Sequence, residues 1–156
     1  MIRVFIDIAR SRHSCRMFTS EPLLPEEMER IMEAGDLAPS SRSRRPVRLF
    51  PVVDEGLIRR LALCKDSGTR ALETATFAVI VAADPDVSDV WIEDCSIASI
   101  MMQMEAEDLA LGSCWIQVRL RKVGDADSED FVIREAGLDD RLKVLSVMAF
   151  GRRPDA

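Results

Sequence analysis

Tyrosine is absent from this chain of 156 residues, aromatic residues make up 5% of it, and there is one histidine, His13. Each scarcity excludes something. So few aromatics cannot build the stacking platforms on which single-stranded nucleic acid is usually held. One histidine is poor raw material for a zinc site, and Cys15, Cys64, Cys95 and Cys114 are too widely spaced for a CxxC pair. The four read as free buried thiols of a reducing compartment. A catalytic triad needs a histidine oriented by a carboxylate, whereas His13 stands among arginines. Nucleophile elbow, P-loop and GxGxxG are all missing, which argues against a Rossmann nicotinamide site. No apolar run approaches the roughly 18 residues that span a bilayer, and MIRVFIDIARSR lacks the basic, apolar, then small layout of a secretory leader. The expectation is a cytoplasmic protein with no bound metal and with neither nucleic acid nor a membrane as partner.

What the sequence does hold is one domain, 1–156, with 47% apolar residues, enough for a real core. Its net charge of -6 is unevenly distributed. Residues 1–48 carry nine arginines against seven acids, a balance of +2, and the remainder sums to -8. The positive charge gathers in SRHSCRMF (Ser11–Phe18) and in SSRSRRPVR (Ser40–Arg48), which has four arginines in nine residues. Two basic loops in an acidic protein point to a local anionic partner rather than a broad field. Arg12 and Arg16 offer forked donors suited to phosphate oxygens, Ser14 adds a hydroxyl, and His13 reads as a further donor rather than a general base.

Hydrophobic spacing outlines the elements. Ile2, Phe5, Ile8 and Ala9 predict a first helix. Pro25, Glu26 and Glu27 open a second, with Met28, Ile31, Met32 and Leu37 as its buried stripe and Pro39 beyond its end. Leu49–Val53 reads as a strand placed at an edge by Pro51. Helices follow over Glu55–Lys65 and, briefly, Gly68–Thr74. FAVIVAA, Phe77–Ala83, is a strand covered on both faces. The longest helix runs over Ile92–Leu111 with Ile97, Met101, Met104, Ala98 and Leu109 inward, and Gly112 ends it. Ser113–Val118 is a strand, Ser128 with Glu129 and Asp130 caps a helix ending at Gly137, and Val144–Phe150 is the last strand. Few strands and long helices favour an α+β layered fold over a doubly wound one.

The order of parts carries a resemblance. R-x-S-x-R-x-F at Arg12–Phe18, then an acidic helix, then APSSRSRRP at Ala38–Pro46 resembles the FMN-dependent nitroreductase family. Asp94–Ile116 and Ser128–Pro154 resemble the family's central dimer helix and its closing segment, so the likeness covers the whole chain as a single nitroreductase-like domain. It implies a central, mostly antiparallel sheet flanked by helices, with a long central dimer helix. By this resemblance Arg12, His13, Ser14 and Arg16 correspond to positions holding the FMN phosphate and ribityl chain. Pro39, Ser40, Ser41 and Ser43 match the stretch of the partner subunit along the flavin ring. Ile116, Gln117 and Val118 match the strip on its other face, where the backbone N–H of Gln117 or Val118 would donate toward N5. Arg152 and Arg153 lie where further basic residues for the phosphate are expected.

The resemblance further implies an FMN-dependent oxidoreductase, a homodimer with the flavin at the subunit interface. NADH or NADPH would reduce the flavin, and a nitroaromatic, quinone or similar small-molecule acceptor would reoxidise it by a ping-pong mechanism. No side chain need act as acid or base, because the chemistry lies on the flavin. Three departures stand out: Ser43 where the family has Asn, Arg45 for Gln and Val47 for Trp. They leave two alternatives open, a flavin-binding relative without turnover (a carrier or sensor), and a domain that binds RNA or another anion through its two arginine loops.

Overall fold

The computed structural model describes residues 2–154. Four strands form one antiparallel sheet in the order β1 (Val47–Val52), β2 (Phe77–Ala83), β6 (Lys143–Gly151), β3 (Gly112–Gln117). The two central strands are the continuous apolar runs, and every residue of β2 is buried. Pro51 lies on β1, an edge strand, where a missing N–H costs no ladder bond. The expected α+β layering is therefore the observed one.

Each face of the sheet carries its own helices. One is covered by α2 (Pro25–Asp36) and α4 (Trp91–Asp108), which bring Ile31, Met102 and Ala106 onto Phe77, Val79, Met148 and Phe150. The other is covered by α3 (Glu55–Leu61) and α5 (Ser128–Ala136), which bring Ile58, Leu61 and Val132 onto Ile80, Ile116 and Val147. The short α1 (Phe5–Ser11) rests against α4. Local chemistry explains the starts: Pro25 opens α2 while Glu27 accepts the Leu24 N–H at 2.8 Å, and Asp54 caps α3 by accepting the Leu57 N–H at 2.7 Å. Gly35 lies against Leu49 and Met102, so α2 approaches the sheet and α4 closely.

Several expectations are corrected. The buried side of α4 is Ala98, Ser99, Met102, Gln103, Ala106 and Glu107, while Ile97 and Met101 are each 37% exposed and Met104 and Leu109 only half-buried. The sheet beneath α4 presents Ser146 and Ser113, so Ser99 and Gln103 face it in hydrogen bonds of 3.3 and 3.1 Å and the larger apolar groups turn outward. Leu37, expected in the stripe of α2, stands just beyond that helix and is exposed. Asp127, not Ser128, is the N-cap of α5. The Ser128 hydroxyl is buried with no hydrogen-bond partner among the described residues, and Glu129 instead accepts the Val144 N–H at 3.0 Å. The sequence reading also passed over a small ribbon, β4 (Lys122–Val123) with β5 (Ala126–Asp127), turned at Gly124 with φ +58°.

The edge of the sheet at β3 is stitched to the N-terminal part of the chain by one side chain. Gly112 and Gly151 pair across β3 and β6, and a Cβ on Gly151 would stand 2.6 Å from the Phe18 ring. The two glycines make a slot that the ring fills. A Gly151→Ala replacement should therefore destabilise the fold by about 1–3 kcal/mol, the usual cost of overpacking; urea unfolding of the variant checks this, and unchanged stability would mean that Phe18 yields without loss.

Candidate functional site

The first basic loop is held largely through its backbone. Arg12 ends α1, its N–H donating to the Ile8 carbonyl at 2.9 Å. The chain then runs briefly parallel to β3, where Ser14 bridges Ser113 and the Cys15 N–H donates to the Ser113 carbonyl at 2.8 Å. Phe18 fills its slot with its N–H on Thr74 Oγ1 at 3.0 Å, and the Thr19 N–H donates to the Arg152 carbonyl at 3.0 Å. His13 Nδ1 lies 3.1 Å from the Ser11 carbonyl, which can only accept, so this nitrogen carries the proton. Among the described residues the side chains of Arg12, Ser14 and Arg16 take part in no ion pair and no hydrogen bond. Two guanidinium groups, a hydroxyl and an imidazole within five positions form a donor set fitted to a phosphate.

The fold adds cations that sequence order does not associate with this loop. Burial pushes the Cys114 thiol up, and Arg16 and Lys65 both lie near enough to oppose that shift. Lys65 is itself pushed down by burial, with the charge of Arg121 acting in the same sense. Lys65 and Arg16 thus both lie near Cys114, and Arg121 lies near Lys65. A lone lysine after α3 carries no motif, which is why the sequence reading passed over it.

The outer edge of β3 continues from the loop. The Val118 N–H donates inward to the Leu145 carbonyl at 3.0 Å, while the Ser113 carbonyl faces outward to the loop. Backbone groups alternate along an antiparallel strand, so the N–H of Gln117 points to the free edge and that of Val118 is already used. The Gln117 side chain is fixed, accepting from Trp115 Nε1 and donating to the Arg119 carbonyl, both at 2.9 Å. Ile116 and Val118 are buried and offer backbone only. From Ser113 to Gln117 the edge extends about 14 Å, at about 3.4 Å per residue.

The second basic loop lies elsewhere. Asp94 anchors it, accepting the Ser41 N–H and the Ser88 hydroxyl, each at 2.9 Å. Ser40 Oγ accepts the Arg45 N–H at 2.9 Å, Arg44 pairs with Asp89 at 3.0 Å, and Arg45 Nη1 donates to the Asp36 carbonyl at 3.2 Å. Arg42, Ser43 and Arg45 have φ of 53°, 53° and 52°, a left-handed backbone that costs of order 1–3 kcal/mol per residue where the surroundings enforce it. Pro39 and Ser43 are exposed. Asp94 stands in the first turn of α4, and Glu107, which contacts α1, in the last. At about 1.5 Å per residue these anchors are about 20 Å apart, so the two loops flank opposite ends of the helix.

Arg152 and Arg153 are already paired within the chain. Arg152 forks onto Glu27 at 2.8 and 3.2 Å and brings Nε to 3.2 Å from Glu21. Arg153 pairs with Glu107, which is 3% exposed and also accepts from Ser11 at 2.7 Å and from Arg3 at 3.3 Å. Burial alone would push the Glu107 carboxyl up; the donors Ser11 and Arg3 and the charge of Arg153 together hold it below its ordinary value.

Comparison with known proteins adds the following. The model of the Nitroreductase family matches residues 9–76. An FMN-dependent nitroreductase from Clostridium difficile R20291 is 32% identical and superimposes with a TM-score of 0.94, over 97% of this chain and 88% of that one. A structure from Parabacteroides distasonis, named as an NADH dehydrogenase/NAD(P)H nitroreductase, is 28% identical with a TM-score of 0.89, over 98% of this chain and 89% of that one. An Archaeoglobus fulgidus protein of the same designation is 29% identical over 150 residues, which is 93% of this chain and 83% of the relative.

The cysteines give a direct check of this packing. Burial raises the thiols of Cys64 and Cys114 and, with Asp94 adding to it, pushes Cys95 up to about 12, whereas Cys15 in the loop is half-exposed. Brief alkylation of the native protein should mark Cys15 and spare the other three, as read by peptide mass spectrometry. Equally fast labelling of Cys114 would contradict the closed edge between the loop and β3.

Proposed function

The chain belongs to the nitroreductase family, and on that premise we propose that it is an FMN-dependent oxidoreductase, passing reducing equivalents from NADH or NADPH to a nitroaromatic, quinone or similar acceptor by a ping-pong mechanism. FMN, when bound, supplies the chemistry, accepting a hydride from the nicotinamide and giving its electrons to the acceptor. The chain's own residues bind and orient. Arg12, His13, Ser14 and Arg16 hold the phosphate, and the edge of β3 over Ile116–Val118 lies along the ring with the Gln117 N–H as the donor toward its reactive nitrogen. A fixed backbone donor there costs no reorganisation when charge develops. Arg152 and Arg153, engaged with carboxylates, offer no free forks to the phosphate.

The observation that carries this reading is the separation of the two basic loops. A ligand held by Arg12 and Arg16 cannot also meet Ser40, Ser41 and Ser43 of the same chain across about 20 Å of helix. Two copies related by a two-fold axis with their α4 helices antiparallel bring each arginine loop to the partner's serine loop. The outward face of α4 is suited to that contact: Ile97, Ile100 and Met101 are 37%, 39% and 37% exposed, an apolar stripe in want of a cover. We therefore take the working unit to be a homodimer with a shared site, in which Pro39, Ser40, Ser41 and Ser43 approach the ring from the partner. Arg45, bound to the Asp36 carbonyl of its own chain, stabilises its loop.

Two outcomes test the proposal. Arg16→Ala should weaken FMN by about 1.5–3 kcal/mol, the worth of a hydrogen bond between charged groups, and leave riboflavin almost unchanged. Equal losses by fluorescence titration would remove the phosphate from this loop, and visible flavin bands that neither NADH nor NADPH bleaches without oxygen would leave a binder without turnover. Met101→Glu should yield a monomer by light scattering that has lost FMN as well; a monomer that still holds FMN at full strength would overturn the shared site.

A further inference from the structure

Glu107 is an expensive residue for its place. It lies in the last turn of α4, where the helix dipole disfavours an anion, and it is 3% exposed, where an unpaired carboxylate could not be tolerated. An apolar side chain would fill that position at less cost. What the carboxylate does instead is join three separate parts of the chain. Ser11 Oγ, on the last residue of α1, donates to Glu107 Oε1 at 2.7 Å. Arg3, before α1, donates through Nη1 to the Glu107 carbonyl at 2.6 Å and through Nη2 to Ser11 Oγ at 2.6 Å. Arg153, just past β6, takes the second carboxylate oxygen. Ser11 directly precedes Arg12, the first residue of the basic loop.

We infer that Glu107 is the positioning residue of the phosphate loop: it touches no ligand, but through Ser11 and Arg3 it fixes the end of α1 and so the direction in which Arg12 leaves the backbone. The inference rests on the reading of that loop as the phosphate site. Without the hub, α1 is held poorly, because none of its residues is buried and Phe5 and Ile6 are 70% and 50% exposed. Beyond Ser14 the loop is tied to β3 by backbone bonds that do not depend on Glu107. The hub's effect is thus directed at the leading part of the loop.

The sign of one substitution separates this role from simple electrostatics. Glu107→Gln keeps an oxygen for Ser11 but removes a negative charge and releases Arg153 close to where a dianion would sit. If charge alone mattered, FMN would bind more tightly. If position matters, FMN binds more weakly, because the bonds that the carboxylate accepts from Ser11, Arg3 and Arg153 lose the anion that strengthens them.

The experiment is fluorescence titration of FMN and riboflavin into wild type, Glu107→Gln, Ser11→Ala and Arg16→Ala, with far-UV circular dichroism on each. Ser11→Ala removes only the tie to α1 at an exposed position and does not endanger folding. The expected result is FMN weakened about tenfold by Glu107→Gln and several-fold by Ser11→Ala, from the loss of about one charged hydrogen bond, with riboflavin affinity within twofold of wild type. Tighter FMN in Glu107→Gln, or equal weakening of both flavins, overturns the positioning role. Arg16→Ala distinguishes the two levels of the argument: if it discriminates FMN from riboflavin while Glu107→Gln and Ser11→Ala do not, only the role of Glu107 falls, and if it does not discriminate, the phosphate reading falls and takes this inference with it.

Discussion

Everything at the functional edge of this protein depends on the seat of Phe18. An edge strand such as β3 presents a row of unpaired backbone groups, and here the chain before Phe18 pairs with the start of that row while the rest is left open. The ring packs where β3 and β6 are reduced to Gly112 and Gly151, so the loop lies closer to the sheet than any side chain at those positions would allow. Because the backbone is secured by this packing and by the bonds to Ser113, Thr74 and Arg152, the side chains of Arg12, Ser14 and Arg16 are not needed to hold it and make no polar contact among the described residues.

The same logic of committed and uncommitted groups shapes α4. Its inward side mixes the hydrogen-bonded Ser99, Gln103 and Glu107 with Ala98, Ala106 and the large apolar Met102. Others of its large apolar residues lie on the other side. A lone surface isoleucine means little, but Ile97, Ile100 and Met101 form one stripe along a helix whose two ends hold the two basic loops. In the proposed dimer that geometry would tie assembly to ligand binding: one helix face would unite the subunits and, by its length, set which loop meets which.

Much of this was legible in the sequence. The continuous run Phe77–Ala83 could only be a doubly covered strand, Pro25 and Gly137 marked helix ends, and Pro51 marked an edge. The resemblance was carried by loops, whose residues are chosen by what they bind rather than by what they pack against. What the sequence concealed was orientation. Ile97 and Met101 have the right spacing for a core stripe, yet which stripe of a long helix faces inward is decided by the surface beneath it, here Ser113 and Ser146. Ser128 looked like a cap, but Asp127 holds that position and Ser128 is drawn inside. The ribbon at Lys122–Asp127 is too short to produce a periodic signal.

The arginines show most plainly where composition stops and geometry begins. The basic residues near the N-terminus and the pair at Arg152 and Arg153 are equivalent as letters, and all were candidates for one anion. The fold divides them by the carboxylates it brings near. Arg152 meets Glu21 and Glu27, Arg153 meets Glu107, and Arg44 meets Asp89, partners up to more than a hundred positions away in sequence. Arg12 and Arg16 meet none among the described residues. In a protein of net charge -6 these two cations share one loop, and on the proposed function their counter-charge would come from the ligand's phosphate. The positive edge thus arises both from cations that the fold brings together and from acids engaged elsewhere, and Glu107, paired with Arg3 and Arg153 rather than with Arg12 or Arg16, is one such acid.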